Sequence, residues 1–446
     1  MRRGKLMRYV VLVLAVNLLL VVVLQMTAVT RQVFRGLRLA PFAVSDSQAV
    51  EEEEEDILSY EECGAWWSQE EYLSNLDPGR GVLDASRTFK THPFISVGGQ
   101  WTRLRNTWQV CLSSQTSADR LYWVGRQART WTGPMSVAVF APGADYTVAL
   151  IVIRLLQGCF VGVRDRVSFH ISYPRVLPPK RLPINEEMLF EFQCDHLEYI
   201  NKELVKKMRP EKLKKKIKHS HYPENLLRNI ARQGCDSTFA FGPDIDMVSI
   251  PGMAGALNSF LRREETQQCA ECAFIIPTYE IDIRSPSNPM NKLELMSFLK
   301  KGLARSYRKD VFTSSQDNSE LGLWESAGMT KTLQVLYNIT TWMDAWEPIY
   351  VAKETIPPYD ERFKGYGFTR SSQALEMNMA GYKWQMLSNL FLTHRGPQGK
   401  NSTSRMQQFK ANSLRYEVFK KELHARYQIN GTTLKVRNDK QSDVSQ

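Results

Sequence analysis

The chain predicts an α/β fold built on a mainly parallel sheet, on three observations. Short apolar runs alternate with helix-period segments from about residue 81 onward. Hydrophobic residues make up 43% of the 446, enough to bury a large core. One apolar run ends in Phe239-Ala-Phe-Gly-Pro-Asp244-Ile-Asp246-Met247, placing two carboxylates at the carboxyl end of a strand, where such sheets bind ligands.

Taken in order, the chain opens on Arg2, Arg3, Lys5 and Arg8, followed by an uncharged apolar run from Tyr9 to Met26. Eighteen helical residues at about 1.5 Å each span roughly 27 Å, a match to a thin bilayer. The run is longer than a usual signal-peptide core and no small-x-small site follows, so it reads as a signal-anchor. The basic flank predicts residues 1–8 as a cytoplasmic tail and everything after 26 as lumenal. Residues 27–80 are polar and acidic, with Glu51 to Asp56 as one block, and read as a stem. Trp66-Trp67 within it suits either local packing or an anchor onto the folded part. The folded domain is expected over 81–428, with a polar tail at 429–446.

Within that domain Trp108–Leu112 reads as a strand, Ala118–Trp131 as a helix and Met135–Phe140 as a second strand. Tyr146–Leu156 reads as a helix and Val167–Ile171 as a third strand. Leu226, Leu227 and Ile230 form one face of a helix over 222–232, with Arg228 and Arg232 on another. That segment is either an ordinary amphipathic helix or one presenting Arg228 and Asn229 to a ligand. The net charge of +11 is uneven, and its densest part, Lys206 to Lys218, holds eight basic residues against one acid. A solvated face is the default for such a run; attraction of an anionic glycan or acidic protein is the other reading. Nothing in the pattern suggests nucleic-acid binding.

Three sequons, at Asn338, Asn401 and Asn430, lie on the expected lumenal side and are candidate glycosylation sites. Seven cysteines allow disulfides with one left over. Cys269-Ala-Glu-Cys272 lacks a second CxxC or a suitably spaced His pair, so it reads as a local structural feature rather than a zinc site.

If Asp244-Ile-Asp246 is extended, both carboxylates point to one side, and two hard oxygen donors there suit a divalent cation that shares phosphate ligands. The alternative is a solvated turn after a strand. Several segments in this order and spacing closely resemble one glycosyltransferase family. They are Gly81-Val-Leu-Asp-Ala-Ser86, Tyr222-Pro-x-Asn-Leu-Leu-Arg-Asn229, Asp244-x-Asp-Met247, Pro289-Met-Asn-Lys292, Trp346-Glu-Pro348 with Tyr350-Val-Ala352, Tyr359-Asp-Glu-Arg-Phe363, Gly365-Tyr-Gly367 and Phe391-Leu-Thr-His394. The family is that of the beta-1,4-glucuronyltransferases, shared with the C-terminal domain of the LARGE enzymes, and the resemblance covers about residues 81–428.

The resemblance implies a GT-A-type fold behind a type II Golgi membrane anchor. It implies inverting transfer of glucuronate from UDP-glucuronate to a terminal xylose on the O-mannosyl glycan of alpha-dystroglycan, other Golgi glycosyltransferases being candidate partners. It places Mn2+ on Asp244 and Asp246, with His394, after the strand-like run Met386–Leu392, as third ligand. Inversion needs a carboxylate to accept the acceptor proton, and Glu347, Asp360 and Glu361 are the candidates, Glu347 first. Related GT-A families carry acids after Gly-x-Gly, where this chain has Gly365-Tyr-Gly-Phe-Thr-Arg370. Lys309–Trp324 departs from the family pattern. Another donor such as UDP-N-acetylglucosamine, or a catalytically silent glycan-binding paralogue, are the competing readings.

Overall fold

The computed structural model describes residues 81–182, 194–219, 221–312, 314–397 and 403–427. The expected membrane span at 9–26, the stem, Cys63, the sequons at Asn401 and Asn430 and the tail at 429–446 lie outside the described residues. Among the described residues no helix is long and apolar enough to cross a membrane.

In chain order the strands are β1 (Val82–Leu83), β2 (Phe89–Ser96), β3 (Val110–Ser117), β4 (Met135–Phe140), β5 (Val167–Pro174), β6 (Phe239–Phe241) and β7 (Met247–Ser249). They continue as β8 (Cys272–Ile275), β9 (Thr278–Ile281), β10 (Ala304–Ser306), β11 (Val335–Ile339), β12 (Tyr350–Lys353), β13 (Lys383–Leu387) and β14 (Leu392–Arg395). The helices that bear on the site are α1 (Asp145–Cys159), α2 (Leu197–Met208), α3 (Glu211–His219), α4 (Glu224–Cys235), α5 (Lys292–Lys300), α6 (Ser371–Met379) and α7 (Thr403–Arg426).

A ten-stranded mixed sheet runs β1-β2-β5-β4-β3-β6-β12-β8-β13-β11, and a four-stranded sheet runs β10-β9-β14-β7. β5, β4, β3 and β6 are parallel, while β12 is antiparallel to both β6 and β8. Every residue of β4 and β5 is buried, as parallel strands covered on both faces require. α1 is apolar almost all round and is buried to match. α4 lies across β3, β4 and β5, and Gly234 lets it approach: a Cβ there would come within 2.4 Å of His170 Nε2 and 2.5 Å of Ser136 Oγ. Burial pulls the His170 imidazole down to about 4, and its neutral ring accepts Phe94 N–H and pairs with Ser136.

Three sequence expectations change, and one open alternative, at the two aspartates, is decided. The helix expected over Ala118–Trp131 is broken into a turn at Ala118–Arg120 and a short helix at Trp123–Ala128. Asn201 of α2 enters the break, donating to Ala118 C=O at 2.9 Å and accepting Tyr122 N–H at 3.2 Å, and so satisfies backbone groups that a continuous helix would have paired internally. The strand expected at Trp108–Leu112 begins at Val110 and continues through polar Ser113-Ser-Gln-Thr-Ser117. The run Met386–Leu392 is two strands in two sheets, separated at Asn389, whose left-handed backbone (φ 59°) is held by hydrogen bonds with Thr330. The Asp244-Ile-Asp246 segment is a turn, closed by Met247 N–H to Asp244 C=O at 2.8 Å, and not an extended strand end.

Six cysteines pair as Cys111–Cys235, Cys159–Cys194 and Cys269–Cys272. The first ties the start of β3 to the end of α4. The third makes Cys269-Ala-Glu-Cys272 a local clasp before β8, consistent with the structural reading.

Two segments that carried the family resemblance turn out to be scaffold. Asn291 caps α5 by accepting Glu294 N–H at 3.0 Å, and Glu294 returns a bond to Met290 N–H at 2.9 Å. Lys292 is buried, donating to the Trp324 and Ala327 carbonyls at 2.6 and 2.8 Å with its ammonium over the Trp324 ring. Gly365 and Gly367 take positive φ, and Asn412 of α7 donates to the carbonyls of Lys364, Tyr366 and Gly367. Lys292→Met orphans the buried Trp324 carbonyl and the half-buried Ala327 carbonyl, and we expect it to destabilise the domain by about 2–4 kcal/mol in urea unfolding.

Candidate active site

The polar second half of β3 explains where the aspartate turn sits. Ser113 and Ser114 donate through Oγ to the Phe241 and Pro243 carbonyls at 3.3 and 2.8 Å. Gln115 approaches Asp244 Oδ1 at 3.5 Å and accepts the Tyr222 hydroxyl. Side chains that look like loop residues in sequence thus hold the backbone that leads out of β6. Gly242-Pro243 carries the chain from the large sheet to the small one, so the two aspartates stand where the sheets meet.

Asp244 is clamped. Arg228 of α4 and Arg370, just before α6, both reach its Oδ1, at 2.9 and 2.8 Å. Burial alone would raise this carboxyl, but Arg370 and Arg228 hold it far below the usual carboxylate range. All three donors use Oδ1; among the described residues none is found on Oδ2.

Asp246 has a different set of partners. Its Oδ2 faces His394 Nε2 at 3.3 Å and pairs with Arg120, leaving Oδ1 without a donor among the described residues. His394 sits in β14 beside Met247 of β7, which explains how a residue far along the chain meets this turn. Its Nδ1 lies 3.0 Å from the Gly396 carbonyl and donates to it, so Nε2 donates to Asp246 in the protonated ring and carries a lone pair in the neutral one. Burial lowers the His394 pKa, but the Asp246 hydrogen bond and charge outweigh it and the net shift is upward. Burial likewise raises Asp246, and His394 and Arg120 overcome it to lower it.

One row across the small sheet continues the site. Met247, His394, Glu280 and Arg305 are successive cross-strand partners on β7, β14, β9 and β10. The turn after β10 brings the Tyr307 ring to 5.4 Å from that of His394, and brings Arg308 to Glu347 as an ion pair. Arg308 also acts electrostatically on Asp244, so Glu347 joins the aspartate cluster through this arginine.

The remaining sequence candidates are placed as follows. Asn229 is buried and clasps Tyr359 by its N–H and C=O, at 2.9 Å each, besides donating to Glu361 at 3.0 Å. The Asp360 carboxylate is held by Arg362, which also binds Glu422. Glu361 is raised by burial against its Asn229 bond. These groups brace the 357–363 segment. Sequence reasoning missed Arg120, Arg308, Arg370 and Tyr307, whose only local signal was charge or aromaticity in loops.

Among the described residues no three His, Cys, Asp or Glu are gathered as a ready metal cage. The donor chemistry nevertheless fits a divalent ion. Asp244 Oδ2 and Asp246 Oδ1 are hard oxygens whose sister oxygens are already anchored, and His394 has its other ring nitrogen tied back. Around them four guanidiniums, of Arg120, Arg228, Arg308 and Arg370, suit an anionic ligand.

Comparison with known proteins agrees with this architecture. Beta-1,4-glucuronyltransferase 1 of Homo sapiens is 31% identical over 354 residues, covering 78% of this chain and 81% of that protein. The protein of that name from Danio rerio is 30% identical over 364 residues, covering 78% and 82%. The xylosyl- and glucuronyltransferase LARGE1 of Mus musculus is 27% identical over 289 residues, covering 64% of this chain and 31% of its own length. Among solved structures S. aureus TarS covers 64% of this chain and 36% of its own at 11% identity, with a TM-score of 0.30, a likeness too slight to inform the fold. The model of the family described as "Glycosyl-transferase for dystroglycan" matches residues 109–428, and with that span of mixed α/β fold the chain belongs to this glycosyltransferase family.

Proposed function

We infer that this glycosyltransferase moves glucuronate from UDP-glucuronate, with inversion, onto a terminal xylose in beta-1,4 linkage, and that it uses Mn2+. The acceptor under this reading is the O-mannosyl glycan of alpha-dystroglycan. The observation that carries it is the Asp246–His394 pair beside Asp244, at the junction of two sheets and ringed by guanidiniums. A uridine diphosphate uronate is polyanionic, and that ring complements it better than it would a donor with a neutral sugar.

Asp244, Asp246 and His394 would hold the ion, which when bound neutralises charge on the departing diphosphate. Arg228 and Arg370 keep Asp244 ionised and fix its free oxygen. In the single displacement the acceptor oxygen bonds to the anomeric carbon as the bond to the UDP oxygen breaks, and the hydroxyl proton passes to a carboxylate. Glu347 is our assignment for that base: Glu347 and Asp360 each pair with an arginine, but the arginine on Glu347 is Arg308, which acts on Asp244, whereas the one on Asp360 is Arg362, which leads to Glu422 of α7. Arg228 belongs to the donor site through Asp244; Asn229 shapes it indirectly, through Tyr359.

We also place the chain in the Golgi membrane as a single-pass type II protein with a lumenal catalytic domain. Asn338 is in keeping with this: it stands exposed on edge strand β11, its side-chain oxygen accepting Gln385 Nε2 of β13 at 3.0 Å.

The full chain with Mn2+ and a β-xyloside is expected to transfer sugar from UDP-glucuronate and not from UDP-N-acetylglucosamine, with Asp246→Asn lowering kcat by about 100-fold or more while thermal melting shows it folded. Transfer of the second sugar would keep the mechanism and overturn the donor; undiminished activity in the variant would remove the metal site. Protonated His394 cannot ligate, so Mn2+ affinity measured by calorimetry should fall about tenfold per pH unit below its raised pKa and level off above it, a dependence that His394→Ala abolishes. Asn338→Gln is expected to remove one endoglycosidase-sensitive step in gel mobility from the protein made in secretory cells.

A further inference from the structure

We propose that Arg308 reads the sugar carboxylate of the donor, and that Glu280 is the positioning residue that holds Arg308 in its reading conformation. The inference rests on the donor being a nucleoside diphosphate uronate, and goes beyond that reading by assigning the specificity to one turn.

Arg308 has a left-handed backbone, with φ at 60°. A non-glycine residue there carries strain of order 1 kcal/mol and persists only where its surroundings enforce it. Glu280 does the enforcing. Its carboxylate is 2% exposed; Oε1 accepts the Arg308 N–H at 3.1 Å and Oε2 accepts Arg305 Nε at 2.8 Å. One buried acid therefore grips both the end of β10 and the turn beyond it. Glu280 also lies in the row next to His394, so the turn is registered against that histidine by strand pairing. Tyr307, packed on the His394 ring, completes the link.

The other guanidiniums of the cluster have their carboxylates within the site itself: Arg228 and Arg370 share Asp244 Oδ1, and Arg120 takes Asp246. Arg308 instead meets Glu347 through Nη1. The planar guanidinium has five donors, so a second carboxylate can share it or replace Glu347. A base must stand beside the anomeric carbon, so a cation in contact with Glu347 lies at the sugar and not at the uridine. The half-buried fork keeps Glu347 with either sugar but gains a second, charge-assisted partner only from a uronate, which gives discrimination against a sugar that ends in a neutral hydroxymethyl group.

The test compares UDP-glucuronate with UDP-glucose, which differ only at that carbon, using the full chain and its Arg308→Gln, Arg308→Lys and Glu280→Gln variants. The ratio of kcat/KM for the two donors should fall about 100-fold in Arg308→Gln and less in Arg308→Lys, which keeps the charge but loses the fork. Glu280→Gln should act mainly on KM for UDP-glucuronate, with kcat changed less. The dissociation constant for UDP, which lacks the sugar, should move far less than the ratio in every variant. An unchanged ratio in both Arg308 variants, or equal losses for UDP and for both donors, overturns the proposal while leaving the glucuronate reading standing. A wild-type preference for UDP-glucose overturns both.

Discussion

Asp244 holds the architecture of this site together. Its carboxylate is gripped by Arg228 from α4 and Arg370 ahead of α6, and all of these groups are largely buried. Such a charge survives burial only because its partners are there; removing one partner of a buried pair costs about 3–5 kcal/mol, since the other charge is then stranded. The clamp joins the helix that covers the parallel strands to the turn that leaves them, and so sets where Asp246 stands ahead of the second sheet.

The four-stranded sheet then turns one fixed point into a row. Strand pairing spaces neighbours about 5 Å apart, so His394, Glu280 and Arg305 follow from Met247 in register. Residues distant in sequence are aligned by backbone hydrogen bonds and need no side-chain accommodation. Beyond Met247 the row is polar, and the acids in it and beside it each meet a cation or imidazole: Asp246, just ahead of Met247, with Arg120 and His394, and Glu280 with Arg305. This near balance of charge is the physical setting in which a divalent ion and a polyanionic donor can enter together.

The departures from sequence expectation share a cause. Ser113–Ser117 and the Ala118–Trp131 segment were misjudged because their polar groups are satisfied by distant partners, Phe241, Pro243 and Asn201. Met386–Leu392 looked like one strand because apolar periodicity carries no mark of which sheet a residue joins; Asn389 makes the change of sheet. The two aspartates, for which the sequence leaves both an extended strand end and a turn open, are in a turn and serve different neighbours, Asp244 the arginines and Asp246 the histidine and Arg120.

From the residues alone came the α/β class, the central strands at 135–140 and 167–171, the helices at 146–156 and 222–232, and Asp244 and Asp246 as candidates; family resemblance added His394, which the fold brings beside Asp246. These are legible because buried parallel strands favour short apolar runs and an amphipathic helix must repeat every 3.6 residues. Tertiary structure alone decided which cations face which carboxylates. Arg120, Arg308 and Arg370 sit in loops where an arginine looks like any solvated charge, and only the meeting of two sheets brings them to the aspartates. Electrostatic pairing acts through space, and the order of residues along a chain does not encode it locally.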